Sequence, residues 1–431
     1  MKVKTIKSLC GMLAMLAFTA CSSNIDESTD APRFYNVTLT ASMEGGDTRA
    51  LSEGTGNVIT ATFAEKDEVV VVKANGTSVG TLTAQTAGAS TTLSGPLNAA
   101  SLTVGEEVKL RYRSATANYD GQVGTLDGIA ANQDYEEGTL TVTSTDPLTF
   151  NSNSVTLLAK QSITKFTFKD VSNNAAVSVK TFGIAAVGLV QSIATDGTET
   201  AGAVTGTLGT AASDVYIALR NNTDAKQTYA FTIKDNAGNW YITTKKAKLT
   251  YGKNYAVDIA LTPLPELTSS DDVGTIGVIG GLPAIVVEIN STKKAVALMN
   301  VGALCPEAYG TYYIFDDRAS GLSNSWYVPS QTELTSFKDT YSSTWGAPHG
   351  VNGRTFTIGS NTLFLPAAGL DDTDNVPSDF WKVSELGYYW SSTLSGTSPL
   401  CLSFTSSVVN IISDYPSDAL TVRPFHTLPA Q

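Results

Sequence analysis

At 431 residues the chain is long enough for about three domains of ordinary size. Hydrophobic residues make up 42% and charged residues 16%, which is too apolar and too weakly charged for a disordered linker or tail. Lys and Arg number 28 against 40 Asp and Glu, a net charge of -12, the wrong sign for gripping phosphate backbones or anionic lipid, so no nucleic-acid partner is expected. His349 and His426, the two histidines, leave little material for a histidine metal site or general base.

Lys2, Lys4 and Lys7 precede the apolar run Leu9 to Ala20, the pattern of a cleavable secretory signal over residues 1–20. Phe18-Thr19-Ala20-Cys21 resembles the lipobox of bacterial lipoproteins, which implies acylation (palmitate) of Cys21 and a lipid anchor. With so acidic a chain, acyl groups rather than electrostatics would hold it to a membrane. Cys10 leaves with the signal, so Cys305 and Cys401 are the one candidate disulfide pair in an oxidising compartment; the alternative is two buried thiols. A bond between them would contribute roughly 4 to 5 kcal/mol through chain entropy.

Residues 34–262 show short apolar–polar alternations separated by turn residues, as expected of antiparallel sheets with one buried face. Tyr35, Val37, Leu39 and Ala41 alternate with polar neighbours, as do Phe166 and Phe168, and Tyr255, Val257, Ile259 and Leu261. Phe231 and Ile233, then Asp235 to Asn239, then Trp240 and Ile242 read as a hairpin. So long a run of short strands predicts two sandwiches, over 50–150 and 151–263, divided near the Asn-, Ser- and Pro-containing stretch Asp146 to Ser154. Proline and small polar residues from Leu261 to Asp272 read as a linker. Beyond it, over 264–431, lie Trp326, Trp345, Trp381 and Trp390, and a capping box, Ser330-Gln331-Thr332-Glu333, that predicts a helix of about ten residues after Pro329. The third region is therefore expected to be α+β.

The order Cys21, polar tether, isolated strand, Glu44-Gly45-Gly46-Asp47-Thr48, Arg49-Ala50 resembles the fimbrillins, lipoprotein pilins of Bacteroidales, with further likeness in Thr62 to Asp67 and Gly124 to Ala131. The resemblance implies transthyretin-like β-sandwiches and a protease cut between Arg49 and Ala50. That cut removes the first strand, held within residues 21–49, and a neighbouring subunit's strand fills the groove. Arg33 is a competing cut site that would leave the strand in place.

Trp326 to Ser330, Leu363 to Gly369, Gly387 to Thr393 and Thr421 to Phe425 resemble the Fibrobacter succinogenes major paralogous domain, which implies a C-type-lectin-like fold. Its usual glycine-rich entry is degenerate here, as Gly280-Gly281 with Ile285 to Ile289. The lectin calcium motifs and the oxidase cysteines of that fold are missing, and Arg423 suits a tie from the terminal strand to a carboxylate. Asp371, Asp372, Asp374, Asn375 and Asp379 crowd one loop whose oxygens suit a hard cation such as calcium, although no metal is assigned. Trp381 beside it, with Trp345 and Tyr341, offers a stacking platform for a sugar or peptide.

The expectation is a mainly β, non-enzymatic fimbrial subunit without cofactor, exposed on the outer membrane. Its partners would be other subunits through strand exchange and a surface glycan or protein ligand, and its place a filament tip, because no free donor strand is visible at the end of the third region. The alternative is a non-polymerising glycan-binding lipoprotein.

Overall fold

A computed structural model describes residues 32–43, 52–53, 59–112, 114–371 and 380–429. The first region contains β1 (Phe34–Met43), the short pair β2 (Ser52–Glu53) and β3 (Ile59–Thr60), β4 (Glu68–Lys73), β5 (Ser78–Ala84), β6 (Ser90–Asn98) and β7 (Glu107–Tyr112). After an excursion through β8 (Ala117–Asn118) and α1 (Leu126–Asn132), it resumes with β9 (Glu136–Thr145), β10 (Leu148–Phe150) and β11 (Ser154–Ala159). The strand order is β10-β9-β11-β1-β6-β5-β4-β7, and β7 pairs again with β9, so the sheet closes on itself. Alternation drives the closure, because Val37, Leu39, Val69, Val71, Leu82, Leu93, Leu110 and Leu157 all point into one buried cluster.

The second region holds β12 (Ser162–Asp170), β13 (Val179–Ala185), β14 (Leu189–Ile193), β15 (Glu199–Ala201), β16 (Val204–Ala212), β17 (Asp214–Asn221), β18 (Gln227–Asp235), β19 (Trp240–Ala247) and β20 (Asn254–Leu261). One sheet runs β15-β14-β17-β12-β20 with β8 beside β14; the other runs β16-β13-β18-β19. The two faces meet across Phe166 and Phe231, whose rings pack edge to face at 5.2 Å. Tyr119, Ile129 and Tyr135 from the excursion fill the same cluster. The expected hairpin is present as β18 and β19 around Asp235 to Asn239. Asp146 to Ser154, where a division was expected, instead turns between strands of the first sheet, which keeps the chain until Ala159.

The third region contains β21 (Ile276–Ile279), β22 (Leu282–Ile289), β23 (Thr292–Ala297), α2 (Gln331–Thr340), β24 (Ser343–Gly346), β25 (Gly353–Ile358) and β26 (Asn361–Pro366). It continues with β27 (Leu370–Asp371), β28 (Phe380–Trp381), β29 (Gly387–Ser395), β30 (Ser398–Phe404), β31 (Val409–Ser413) and β32 (Phe425–Thr427). Gly280 and Gly281 form the two-residue turn between β21 and β22 with φ of +53° and +77°, a conformation that suits glycine at both positions. The capping box forms as read: Ser330 Oγ accepts from the Glu333 amide, and the Glu333 carboxylate accepts from the Ser330 amide. Leu334 and Phe337 bury one helix face against Ile285, Val287, Phe356 and Phe425. The described residues are thus mainly β, with helix among them confined to short elements.

Segment 262–275 is no loose linker among these contacts. The Leu264 amide donates to the Trp240 carbonyl at 2.8 Å, and Leu267 is buried. Trp240 turns its ring into the third region's core and donates from Nε1 to the Gly281 carbonyl at 2.8 Å. Among the described residues no helix is long and apolar enough to cross a membrane.

Candidate functional site

The residues that distinguish β1 are its alternate apolar side chains. Val37, Leu39, Ala41 and Met43 are buried while Phe34, Asn36, Thr38 and Thr40 are exposed. Each large buried side chain is worth about 1.5 to 3 kcal/mol relative to exposure. Nine residues of the strand pair antiparallel with Ser90–Asn98, and Thr40 to Met43 pair parallel with Ser154 to Leu157. The outward face adds little: Thr38 and Ser94 hydroxyls lie 3.4 Å apart, and Ser42 and Thr156 hydroxyls 3.3 Å apart.

Position matters more than the individual bonds. β1 lies between β6 and β11 in the interior of the closed sheet, although it comes first among the described strands. Taking it out would open two strand edges at once and uncover Leu93, Leu97 and Leu157, which share its cluster. Such a gap has the geometry of a receptor for an extended segment: main-chain donors and acceptors along both walls and apolar pockets at alternate positions. At the strand's start the Tyr35 hydroxyl donates to Asp146 Oδ1 at 2.7 Å, and that bond, with some desolvation, holds the phenol above its ordinary pKa.

Other expected site residues are scattered. Cys21, Arg49, Ala50, Asp372, Asp374, Asn375 and Asp379 lie outside the described residues. Asp371 pairs through its backbone with Ala419, and its Oδ1 is buried without a hydrogen-bond partner among the described residues. Trp381 is 46% exposed, with the Lys382 ammonium 4.2 Å from its ring centre. Tyr341 and Trp345 instead pack in the core around Phe337 and Phe404, so the three aromatics do not form one platform. Among the described residues no group of three or more His, Cys, Asp or Glu is placed to hold a metal ion.

Of the two alternatives for Cys305 and Cys401, the candidate disulfide is not formed and the two buried thiols are what the structure holds. Both thiols are free and buried, Cys305 against Ala185 and Ala203 of the second region and Cys401 among Trp390, Leu420 and Val422. Burial pushes the pKa of each thiol well up, nearby carboxylates adding to it, so both stay protonated and unreactive. Arg423 also departs from expectation. Its guanidinium donates to Asn300 Oδ1 at 2.9 Å and to the carbonyls of Ala297 and Phe364 at 3.0 and 3.1 Å, rather than to a carboxylate. Burial lowers its pKa to about 10, which still leaves the charge in place at neutral pH.

Sequence reading missed a half-open cleft between the second and third regions, walled by Asp120, Gln191 and Thr205 on one side and by residues 302–312 on the other. No motif marks it, because its walls come from segments far apart in the sequence.

No family model and no curated protein matches the chain. Solved structures similar to it include two proteins named for a proposed role in cell adhesion. The one from Bacteroides ovatus is 13% identical and covers 54% of this chain and 95% of its own at a TM-score of 0.31; the one from Bacteroides uniformis is 13% identical and covers 53% and 95% at 0.32. A fimbrial assembly protein from Parabacteroides distasonis is 11% identical and covers 61% of this chain and 95% of its own at 0.26.

Proposed function

We propose that this chain is a fimbrial subunit of the cell surface that accepts a strand from a neighbour in place of its own β1. The observation that carries the reading is the interior position of β1 between β6 and β11. A foreign strand entering there regains the ladder along Ser90–Asn98, the shorter one along Ser154 to Leu157, and the pockets of Val37, Leu39, Ala41 and Met43. An empty groove would aggregate or be filled, so the vacated state itself drives assembly.

In this reading Cys21 carries the lipid anchor to the outer membrane, and cleavage between Arg49 and Ala50 frees β1. The first two regions are transthyretin-like sandwiches, and the third is a C-type-lectin-like module displayed as a tip adhesin, a binding rather than a catalytic part. N-terminal sequencing of subunits from purified surface fibres tests the proposal. Ala50 is the expected first residue, and Arg49→Ala should keep the subunit out of fibres. A chain that starts at Cys21 and never enters a fibre overturns it and leaves a non-polymerising surface binder.

A further inference from the structure

The cleft between the second and third regions has a volume of about 540 Å³, within the range of roughly 300 to 1,000 Å³ usual for small-molecule sites. Its back is closed by close packing of small groups. Cys305 sits against Ala185 and Ala203, and a Cβ on Gly183 would come within 2.5 Å of the Cys305 Cβ.

The hydrogen-bond accounting of its walls is one-sided. Asp120 Oδ1 accepts from the Thr205 amide at 2.8 Å and the Thr205 hydroxyl at 2.6 Å, and Oδ2 has no partner among the described residues. Glu307 is only 6% exposed; its Oε1 lies 2.6 Å from His349 Nδ1, and its Oε2 has no partner among the described residues. Gln191 donates through Nε2 to the Ala203 carbonyl at 3.1 Å, which leaves its Oε1 as a third open acceptor. Hydroxyls of Tyr309 and Tyr312 are already engaged, with Ser384 Oγ and the Ala368 carbonyl, so these residues offer ring surface rather than polar contacts. Among the described residues no lysine or arginine lines the cleft. Beyond burial, the raised pKa of Cys305 draws on both Glu307 and Asp120, which puts the two carboxylates within electrostatic reach of the same closed end.

Among the described residues no cation pairs with Asp120, while Glu307 has the His349 imidazole at one oxygen and the Arg423 charge at longer range, so this partly desolvated cavity holds more acceptors than donors and calls for a donor-rich guest. An anion would meet like charge on both walls. A neutral sugar would satisfy the acceptors but leave the charges unbalanced. We propose that this cleft binds an organic cation, an alkylammonium or guanidinium head on an apolar stem, with Asp120 and Glu307 as its counter-charges and the rings of Tyr309 and Tyr312 along the stem. Cation–π attraction to those rings adds to the ion pairing. The head group belongs either to a free polyamine or to a lysine or arginine side chain of a partner protein. The site is independent of strand exchange at β1.

Calorimetric titration of the full chain with spermidine and agmatine, and separately with short capped peptides carrying one lysine or one arginine, tests the site and distinguishes its sources. Saturable one-to-one binding of either class is expected, weakening as salt rises from about 50 to 500 mM because the attraction is screened. Asp120→Asn and Glu307→Gln should each weaken it at least tenfold. Gln191→Lys, which puts an ammonium into the cleft and spares both carboxylates, should abolish it without lowering Tm. Binding of amines identifies a soluble ligand; binding of peptides alone identifies a partner's side chain. Failure of every cation to bind at millimolar concentration, binding that all three variants leave unchanged, or binding of glucose in place of the cations overturns the proposal.

Discussion

The Tyr35 hydroxyl donates a 2.7 Å hydrogen bond to Asp146, 111 residues further along, and so pins the start of β1 to the turn between β9 and β10. Tyr35 is half-buried and Asp146 exposed, so the bond itself faces solvent, and Arg33 lies 3.6 Å from the same carboxylate. Water competes for such a bond, so Tyr35→Phe should cost no more than about 1 kcal/mol. Leu39, 3% exposed on the inner face, is different: Leu39→Ala should cost about 2 to 5 kcal/mol because a cavity replaces a packed side chain. Denaturant titration of the two variants checks that β1 is held by its apolar face. Equal effects would count against it.

Arg423 has three hydrogen-bond acceptors in the core, none of them a carboxylate, among the described residues. Arg423→Met removes the charge but strands the Ala297 and Phe364 carbonyls and Asn300 Oδ1, so a loss of about 3 kcal/mol or more is expected. Arg423→Lys should recover only part of it, since one ammonium cannot reproduce the planar fork. Thermal unfolding followed by tryptophan fluorescence reads mainly the third region, where four of the five tryptophans lie.

With Cys305 and Cys401 apart and reduced, the Tm of the chain should not change on adding a reductant. Both thiols should react with a thiol reagent only after unfolding. A Tm that falls with reductant would restore the disulfide.

Burial raises the pKa of Tyr229, Tyr241 and Tyr327 to about 12 from an ordinary 10.0. A folded pKa above the unfolded one means the native state holds the proton more tightly. These tyrosines' contribution to stability is therefore whole below pH 10 and falls as pH rises from 10 through 12. Spectrophotometric titration should show a delayed class of phenols, merging with the ordinary class once the chain unfolds. Titration of every tyrosine near pH 10 in the native chain would refute this.

Much of the local structure was legible in sequence. Alternation marked β1, β12 and β20, the turn residues marked the hairpin of β18 and β19, and Ser330 with Glu333 marked the start of α2. These signals act over two to four residues, where side-chain period and capping chemistry leave few choices. Helix α1 escaped notice because Thr125 caps it alone, without a partner carboxylate three residues on.

Sequence by itself determined the strands with clear alternation, such as β1, β12 and β20, and which face of each is apolar. Tertiary structure alone decided that β1 lies inside a closed sheet, that Trp240 packs into the neighbouring region, that the two cysteines face different cores, and that Asp120, Gln191 and Glu307 wall one cleft. The reason is physical. Strand-forming patterns are read from near neighbours, whereas strand order and inter-region packing follow from which buried faces fit together across long loops, and loop length itself adds only a slowly growing entropic cost that barely constrains the choice.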